Sequence, residues 1–337
     1  MKYFARAVCV AALAVGATPT MTLAQDQVTL SVSLDTSPQH VRNVWFKKFA
    51  ERLEENSGGA LKAELFEAAA KYKDSEVAAA VAQGAIDIAA PQYQLISRFV
   101  PESDFEQLPM FYGVDREKIY AVVDGAIGAE LHKRIEEKLQ VKVLGRPIDL
   151  GFGTVFSTDV ELSGPDSLNG LKVRVPGGPA TIQRYEIMGS APVQIAWPDV
   201  PQALQTGTIS ALWSTHESVA SAKLWDAGVK YALNDRQAIV QYLPLINQQA
   251  YDKLPVDMQK VLTDTWDQIV DEERDDAAQR QQDAQELNAS HGIKTVDPSA
   301  EALAAMRQKL LEAQPGLVSE LGMDPEFVTQ VQAVIDN

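Results

Sequence analysis

One arginine lies at a position where side-chain chemistry and chain geometry coincide. In the segment "LKVRVPGGP" (171–179), apolar residues alternate with Lys172 and Arg174, which predicts a short strand with one cationic face. The residues from 176 to 179 then break the strand. A guanidinium offers two parallel N–H donors that match a carboxylate. By residue type alone, an exposed arginine is the commoner outcome, so both interpretations stay open at this point.

The sequence offers no constellation of catalytic residues. Its histidines are not spaced for zinc, and they are His40, His132, His216 and His291. It has no Gly-x-Ser-x-Gly elbow and no phosphate loop, and "GFG" (151–153) lacks the third glycine of a dinucleotide loop. Three interpretations of His216–Glu217 stay open: a fragment of a charge relay, a pair at the start of a helix, or part of a pocket wall. We predict no enzyme, no metal and no other cofactor, with a secreted hydrolase as a distant alternative.

The first 24 residues have the pattern of a secretory signal peptide. Lys2 and Arg6 precede an apolar run, and small residues follow at "TLA". Cys9, the only cysteine, lies inside this segment. Removing residues 1–24 takes the net charge from −16 to −18. We therefore expect a soluble periplasmic protein that neither inserts into membranes nor binds nucleic acid.

Strand and helix patterns alternate along the chain, which predicts an α/β fold. "VTLSVSL" (28–34) and "LKAELF" (61–66) read as strands, and the helical pattern between them stops at "SGG". Residues 255–290 carry one long helical pattern. A single helix of this length would reach about 54 Å, although two helices with an unmarked break fit as well. The acidic run at 271–276 is expected to be a solvated face.

One helix–glycine–strand pattern occurs twice, in "AVAQGAIDIAA" (80–90) and "ALQTGTISALW" (203–213). The repetition predicts two lobes of similar construction, although chance similarity between alanine-rich segments is an alternative. Ligands of open α/β sheets bind beyond the carboxyl ends of strands. This rule selects the residues that follow the two units: Pro91, Gln92, Tyr93, Trp213, Ser214 and Thr215.

The central part of the chain resembles a known family. "PDSLNGLKVRVPGGP" and "GSAPVQIAWPDVPQALQTGTISAL" are similar to two blocks of the solute-binding proteins of tripartite ATP-independent periplasmic (TRAP) transporters. "FAERLEENSGG", "AVAQGAIDIAA" and "LPVDMQKVL" also have counterparts in that family. The resemblance covers nearly all of the chain after the signal peptide.

The resemblance implies a periplasmic-binding-protein fold, in which two α/β lobes are joined by hinge strands and spanned by a long helix. By analogy, residues 25–151 and 240–278 form lobe I, and residues 152–239 and 279–337 form lobe II. It also implies that the lobes close on a small organic acid and that the closed protein docks on the membrane subunits of a TRAP permease. A ligand-sensing subunit with the same fold is an alternative.

The resemblance gives Arg174 a role, because the arginine of this strand grips the solute carboxylate in the family. Phe152, Thr154 and Pro176 complete the predicted binding residues, beside Gln92, Tyr93, Trp213 and Ser214. Many members of the family have a second arginine upstream, but residues 148–158 contain neither arginine nor lysine. Arg146 lies slightly earlier, and the sequence leaves open whether it reaches the cleft.

The chain departs from the family where polar ligand contacts are usual, since Leu212 and Trp213 stand there. One cation beside an apolar wall favours a monocarboxylate with an apolar or aromatic body, because a second buried carboxylate would lack a partner. Dicarboxylates and sugar acids are the alternatives. Trp197 could also stack on a ligand ring, although a place in the core of its lobe is the favoured interpretation.

Overall fold

The computed structural model describes residues 27–336. The predicted signal peptide and Cys9 lie outside the described residues. No helix in the described part combines the length and the apolar character that a membrane crossing requires.

The described chain is mixed α/β, and strands form where apolar and polar residues alternate along the sequence. Its strands in chain order are β1 (Val28–Ser33), β2 (Leu61–Phe66), β3 (Ile88–Ala89), β4 (Val141–Val143), β5 (Ile148–Phe152), β6 (Thr154–Ser157), β7 (Lys172–Val175), β8 (Ala191–Gln194), β9 (Ala211–Ser214), β10 (Tyr231–Leu233), β11 (Ile239–Tyr242), β12 (Leu245–Asn247) and β13 (Lys294–Val296).

Helices connect and cover these strands. The α-helices in chain order are α1 (Val41–Asn56), α2 (Asp74–Ala82), α3 (Arg116–Val123), α4 (Ala126–Leu139), α5 (Pro179–Ile187), α6 (Val200–Gln205), α7 (His216–Ser221), α8 (Gln248–Asp252), α9 (Val256–Ser290), α10 (Ala300–Glu320) and α11 (Pro325–Asp336). Short 3-10 helices lie between several of them, including one at Tyr93–Leu95.

The strands form two separate sheets. The first has the order β2-β1-β3-β12-β4, with β1 parallel to both β2 and β3. The second has the order β13-β10-β6-β9-β7-β8, with β7 parallel to both β8 and β9. Helices follow the parallel strands, as such crossover connections require. Each sheet therefore brings the carboxyl ends of its parallel strands to one edge.

A two-stranded ribbon of β5 and β11 stands apart from both sheets. Along the chain, β5 lies between β4 of the first sheet and β6 of the second, while β11 lies between β10 and β12. The chain therefore passes from one sheet to the other through this ribbon in both directions. A hydrophobic cluster runs from Leu30 and Val32 through Leu150 and Val240 to Trp213.

The long helical pattern forms one helix, α9, of 35 residues. Its amino-terminal half packs on α1, where Trp266 contacts Phe46 and Phe49 with ring centroids 5.3 Å apart in each case. Its carboxy-terminal half packs on α7, where Asn288 donates to the carbonyl of His216 at 3.1 Å. Because α1 follows β1 and α7 follows β9, α9 spans both halves of the molecule.

The acidic run at 271–276 is only in part the solvated face that the sequence predicts, since Asp271, Glu272 and Asp275 are exposed but the two residues between them are buried. Glu273 is fully buried and accepts a hydrogen bond from the Asp149 backbone N–H at 2.9 Å. Arg274 is 6% exposed and pairs with Asp124 at 2.6 Å. The prediction fails at these two residues because α9 packs on β5, so part of its polar stripe faces protein.

The carboxy-terminal helices contact both halves of the protein. α10 packs against α5, and α11 packs against α3 and α4. Phe327 and Val331 of α11 join the hydrophobic cluster that contains Val81 and Leu131. The tail thus touches elements that the sequence places in both lobes, and the division of the chain between the lobes stays a prediction.

The repeated sequence unit forms the same structure twice. α2 is followed by Gly84 and β3, and α6 is followed by Gly207 and β9. Both glycines adopt the left-handed region, with φ of 71° at Gly84 and 69° at Gly207. Glycine is the residue that occupies this region without a Cβ penalty, so the two units end their helices in the same way.

Candidate functional site

A closed cavity, which we call the Arg174 cavity, lies where the edges of the two sheets meet the ribbon. The first-sheet side of its wall consists of Asp35, Thr36, Asp74 and Gln92. The second-sheet side consists of Arg174, Pro176, Trp197, Trp213, Ser214 and Thr215. Ser218 of α7 and the ribbon complete the wall, the ribbon through Leu150, Val240 and Tyr242.

The Arg174 side chain enters this cavity from the end of β7. It is 3% exposed, and its Nε donates to the carbonyl of Ile195 at 2.8 Å. Its Nη1 donates to the carbonyl of Trp213 at 3.4 Å. Nη2 lies 3.6 Å from Asp74 Oδ2, which is an ion-pair contact beyond hydrogen-bond distance. Two backbone carbonyls therefore fix the guanidinium while one donor edge stays available.

Asp74 brings the two sides of the cavity together. It is the first residue of α2, and its carboxylate accepts the backbone N–H of Trp197 at 3.1 Å from the opposite side. The backbone N–H of Ser75 donates to it at 3.0 Å. Burial, with a smaller contribution from Asp35, raises the pKa of Asp74 to about 6, although Arg174 acts in the other direction.

A second buried arginine, Arg42, lies beside the cavity on the first-sheet side. It is 1% exposed, pairs with Asp35 at 2.5 Å and donates to Thr36 at 2.9 Å. Its guanidinium carbon lies 4.1 Å from the ring centre of Tyr242. These contacts commit Arg42 to Asp35, and Arg42 does not itself line the cavity, so Arg174 is the one cation of the wall among the described residues.

Aromatic rings form the apolar part of the wall. Trp213 is 2% exposed and its ring lies directly against Gly153, where an added Cβ would come within 2.1 Å of Nε1. Trp197 is half-buried and packs against the hydrophobic cluster of its lobe, as the favoured expectation states, and it also lines the cavity. Leu212 faces the opposite side of β9 and packs with Phe156, because successive strand residues alternate. Leu150 of the ribbon supplies the aliphatic contact instead.

Tyr93 does not lie in the cavity, in contrast to the prediction. The 3-10 helix that follows β3 turns its ring into the core, where it packs on Phe105 and its hydroxyl lies 2.7 Å from His132 Nε2. Gln92, the preceding residue, remains at the cavity and donates to the Tyr242 hydroxyl at 3.0 Å. The strand-end rule thus places this loop correctly, but the turn sends adjacent side chains in different directions.

Phe152 and Thr154 line a second, open cavity of about 340 Å³ beside α9, and not the Arg174 cavity. The Arg236 guanidinium lies over the Phe152 ring at 4.6 Å, and Thr154 donates to Asn234 at 3.1 Å. Strand alternation alone would put Leu150 and Phe152 on one face. The residue between them, Gly151, adopts a φ of 81°, and the pairing of the ribbon is irregular opposite it, so the two side chains face different cavities. The prediction that these two residues contact the same ligand as Arg174 is not supported by this placement.

His216 and Glu217 begin α7, as one of the sequence alternatives proposed, and they do not form a relay. His216 Nε2 lies 2.9 Å from Asn234 at the second cavity. Glu217 accepts the backbone N–H of Val41 at 2.8 Å. His40 contacts Glu217 through Nε2 at 3.2 Å, while its Nδ1 accepts the Arg42 backbone N–H. Burial raises the pKa of Glu217 to about 7 and lowers the pKa of His40 well below its ordinary value.

Arg146 does not reach the cavity. Its guanidinium pairs with Asp271 at 2.8 Å and with Asp267 at 3.1 Å, both on the outer face of α9. Among residues 27–336, no three histidine, cysteine, aspartate or glutamate side chains are grouped to hold a metal ion.

Sequence reasoning missed Asp35, Asp74 and Arg42. Asp35 follows β1, so the strand-end rule that selected Gln92 would have selected it too. Asp74 begins a helix and resembles an ordinary first-turn carboxylate, and nothing in its sequence context points across to β7. Arg42 lies within the amphipathic pattern of α1, where an arginine is normally solvent-exposed.

The chain matches one family model and has many relatives. The model described as bacterial extracellular solute-binding protein, family 7, matches residues 32–315. The C4-dicarboxylate-binding periplasmic protein DctP of Rhodobacter capsulatus is 28% identical over 271 residues, which cover 77% of this chain and 79% of that protein.

Solved structures show the same fold. The sugar acid binding protein DctPAm of Advenella mimigardefordensis, in complex with galactonate, superposes with a TM-score of 0.87 at 19% identity, covering 92% of this chain and 98% of that one. A TRAP periplasmic solute binding protein of Sulfurospirillum deleyianum with bound succinate gives 0.84 at 22% identity, covering 92% and 99%. The similarity confirms the predicted two-lobed α/β fold with its long helix.

Proposed function

The chain belongs to the bacterial extracellular solute-binding proteins of family 7, the periplasmic binding proteins of TRAP transporters, and we propose that it binds an organic acid between its lobes and delivers it to a membrane-embedded permease. The relatives support an acidic ligand, since one is a C4-dicarboxylate-binding protein and the structure of another contains galactonate. The proposal places the protein in the periplasm, exported by the signal peptide predicted at residues 1–24.

The placement of Arg174 carries this proposal. Its guanidinium is buried at a cavity wall, its backbone contacts fix its direction, and Nη2 has no hydrogen-bond acceptor among the described residues. A carboxylate at this edge would gain charged hydrogen bonds worth about 1.5–3 kcal/mol each. That is a large share of the roughly −8 kcal/mol that corresponds to a micromolar ligand.

The surrounding wall supports a ligand with one carboxylate and an apolar or aromatic body. Trp197, Trp213 and Tyr242 offer ring faces, and Leu150 and Val240 offer aliphatic contacts. A second ligand carboxylate would approach the carboxylates of the first-sheet wall, where like charges repel. The proposed binding residues are Arg174, Pro176, Gln92, Trp213 and Ser214, which all line this cavity.

A binding role without catalysis is supported by the contacts of two histidines: His40, which lies behind Ser218 of the Arg174 cavity wall, and His216, which lines the second cavity. His40 contacts a hydroxyl and a carboxylate through the same nitrogen, Nε2. This atom lies 3.0 Å from Ser218 Oγ and 3.2 Å from Glu217 Oε2. His216 contacts the side-chain amides of Asn234 and Asn288. Neither ring links a hydroxyl nucleophile to a carboxylate through its two nitrogens, as a relay requires.

The proposal is tested by thermal unfolding of the purified protein with paired small molecules. The panel contains aliphatic and aromatic monocarboxylates, with and without an amino group, and the corresponding amides. A carboxylate at about a hundred times its dissociation constant should stabilise the fold by roughly 2.7 kcal/mol. We expect shifts from carboxylates only, and equal shifts from an acid and its amide would contradict a carboxylate clamp.

Variants separate the clamp from general effects of charge. Arg174→Gln should remove the response to carboxylates, and Arg174→Lys should retain only part of it, because an ammonium lacks the planar pair of donors. Arg146→Gln is the matched control, since this arginine pairs with α9 at the surface. Circular dichroism checks that each variant is folded. A carboxylate response that survives Arg174→Gln unchanged would exclude Arg174 as the anchor.

A further inference from the structure

The Arg174 cavity carries more negative groups than a site for a simple anion needs. Two carboxylates, Asp35 and Asp74, line it from the first-sheet side. Within the described residues, Arg174 is the only positively charged side chain in the wall. An anionic ligand would therefore meet one cation and two like charges at close range.

Asp35 has its own partner and does not need one from the ligand. Arg42 pairs with it at 2.5 Å, donates also to Thr36 and to the carbonyl of Ala90, and stacks on Tyr242. Four contacts hold this guanidinium at the edge of the site. Arg42 thus neutralises Asp35 with its two Nη groups occupied, and its buried Nε makes no hydrogen bond to Asp74 or to any other described residue.

Asp74 depends on Arg174 for its counter-charge. The two side chains are 4% and 9% exposed and are separated by 3.6 Å, too far for a hydrogen bond. With Asp35 balanced by Arg42 and Asp74 by Arg174, the site has no net charge before a ligand enters. A ligand with only a carboxylate would take the donors of Arg174 and leave a buried negative charge without compensation, which is costly.

A cationic group on the ligand would remove this imbalance. It could pair with Asp74 while the ligand carboxylate pairs with Arg174. Trp197, Trp213 and Tyr242 present ring faces to the same space, and such faces attract cations. The raised pKa of Asp74, caused by burial and by Asp35, is consistent with a carboxylate that lacks a strong counter-charge in this state.

We infer that the ligand of the Arg174 cavity is a zwitterion whose carboxylate binds Arg174 and whose cationic nitrogen binds Asp74. The separation of 3.6 Å between the two partner groups requires the cation to lie close to the carboxylate, as in an α- or β-amino acid with an apolar or aromatic side chain. This inference rests on the proposed function and names the class of carboxylate that the site selects.

The test compares amino acids with their des-amino counterparts by isothermal titration calorimetry. The probes are the common apolar and aromatic α-amino acids and their N-methylated forms, each paired with the acid of the same skeleton without nitrogen, such as phenylalanine with 3-phenylpropanoate and leucine with 4-methylpentanoate. We expect at least one amino acid to bind at least tenfold tighter than its partner acid.

Asp74→Asn tests the residue itself. The asparagine oxygen can still accept the backbone N–H of Trp197, so the closed structure is retained. The variant should weaken binding of the amino acid about tenfold to a hundredfold, the loss expected for one charged hydrogen bond, and should leave the des-amino acid unchanged or bound more tightly. Asp159→Asn is the matched control, because this exposed carboxylate pairs with Lys230 at 3.4 Å and does not line the cavity.

The outcomes separate the inference from the proposed function. Des-amino acids that bind as tightly as their amino acids would overturn the inference and leave the carboxylate clamp intact. Binding of plain acids alone, accompanied by proton uptake, would overturn it too, because Asp74 would then be protonated instead of paired. If the amides bind as tightly as the corresponding acids, both the inference and the carboxylate clamp fail.

Discussion

Arg174 and Asp74 approach each other only because the molecule is closed. Arg174 lies at the end of β7 and Asp74 at the start of α2, and both side chains are almost fully buried. The position of Asp74 depends on the backbone N–H of Trp197 from the opposite side. The same carboxylate thus closes the site and sets its charge balance, which makes Asp74 the residue on which ligand choice should depend most.

Trp213 provides a residue-scale prediction through its neighbour Gly153. An added Cβ at Gly153 would come within 2.1 Å of the indole, so Gly153→Ala must displace Trp213 from the cavity wall. We expect a loss of stability of about 1–3 kcal/mol, as for other overpacked sites, together with a weaker response to carboxylates. Thermal unfolding with and without a carboxylate measures both effects.

Gly164→Ala is the control for this prediction. No atom lies within 4 Å of the Cβ that this change would add, and its φ of 171° is extended backbone. It should leave stability and ligand response unchanged. A Gly153→Ala variant that behaves like Gly164→Ala would show that Trp213 adjusts freely and does not form a fixed wall.

At the scale of elements, α9 holds the two halves of the protein in register. It packs on α1 in its first half and on α7 in its second half, and Glu273 and Arg274 fix it to the ribbon through Asp149 and the carbonyl of Pro147. The ribbon carries Leu150, Val240 and Tyr242 into the cavity. The long helix therefore positions the floor of the site although it contributes no residue to the wall.

Trp266 should be a principal anchor of α9. It is fully buried between Phe46 and Phe49, and its indole donates to the carbonyl of Arg146 at 3.0 Å. Trp266→Ala should lower the free energy of unfolding by about 3–5 kcal/mol, measured by chemical denaturation. Glu272→Gln, which removes an exposed ion pair with Arg52 on the same helix, should cost less than about 1 kcal/mol. Equal effects of the two changes would contradict the anchoring role.

At the scale of the whole molecule, the structure is in a closed state. The enclosed volume of the Arg174 cavity is about 20 Å³, which is little more than the space of one water molecule. Contacts across the cleft hold it shut, including Lys73 with Asp199 and the Val41 N–H with Glu217. A solute can enter only if the two lobes move apart.

This geometry predicts opening in solution. The radius of gyration of the unliganded protein, measured by small-angle X-ray scattering, should exceed the value calculated from the closed structure. A carboxylate that raises the melting temperature should reduce the radius of gyration. Lysozyme at the same concentration serves as the calibration control. Identical scattering profiles with and without the stabilising carboxylate would argue against closure of the lobes on the ligand.

Buried carboxyl groups predict the pH dependence of stability. Burial raises the pKa of Asp104, Glu217 and Asp235 to about 7 and that of Asp74 to about 6. The folded state therefore binds protons that the unfolded state releases, and stability should rise as the pH falls from about 8 to about 6.5. The melting temperature should be a few degrees higher at the lower pH.

The buried histidines act in the opposite direction but outside this window. Burial lowers the pKa of His40, His132 and His216, so their stabilising contribution is lost only as the pH falls below about 6.5. Glu217→Gln keeps an acceptor for the Val41 N–H and should reduce the pH dependence between about pH 8 and 6.5. A melting temperature that is flat or falls over this interval would show that the carboxyl groups are not protonated in the folded protein.

The sequence by itself determined the elements and the position of Arg174 near the end of a strand. Local patterns suffice for β1, β2, β7 and α9, because the side-chain period and the glycine and proline breaks are properties of neighbouring residues. The family resemblance added the two-lobed fold and the expectation that Arg174 faces a cleft. Gln92, Pro176, Trp213 and Ser214, which the strand-end rule and the motif selected, line the cavity wall, and their contact with a ligand stays a prediction.

The tertiary structure decided which of the neighbouring side chains face the ligand and what charge they meet. Tyr93 turns into the core, and Phe152 and Thr154 face a second cavity. Asp35 and Asp74 come to the site from the other lobe. A linear pattern records the period of an element but not the register between elements far apart in the chain. The closure that brings Asp74 within 3.6 Å of Arg174 joins residues 100 positions apart, and only the folded chain contains that information.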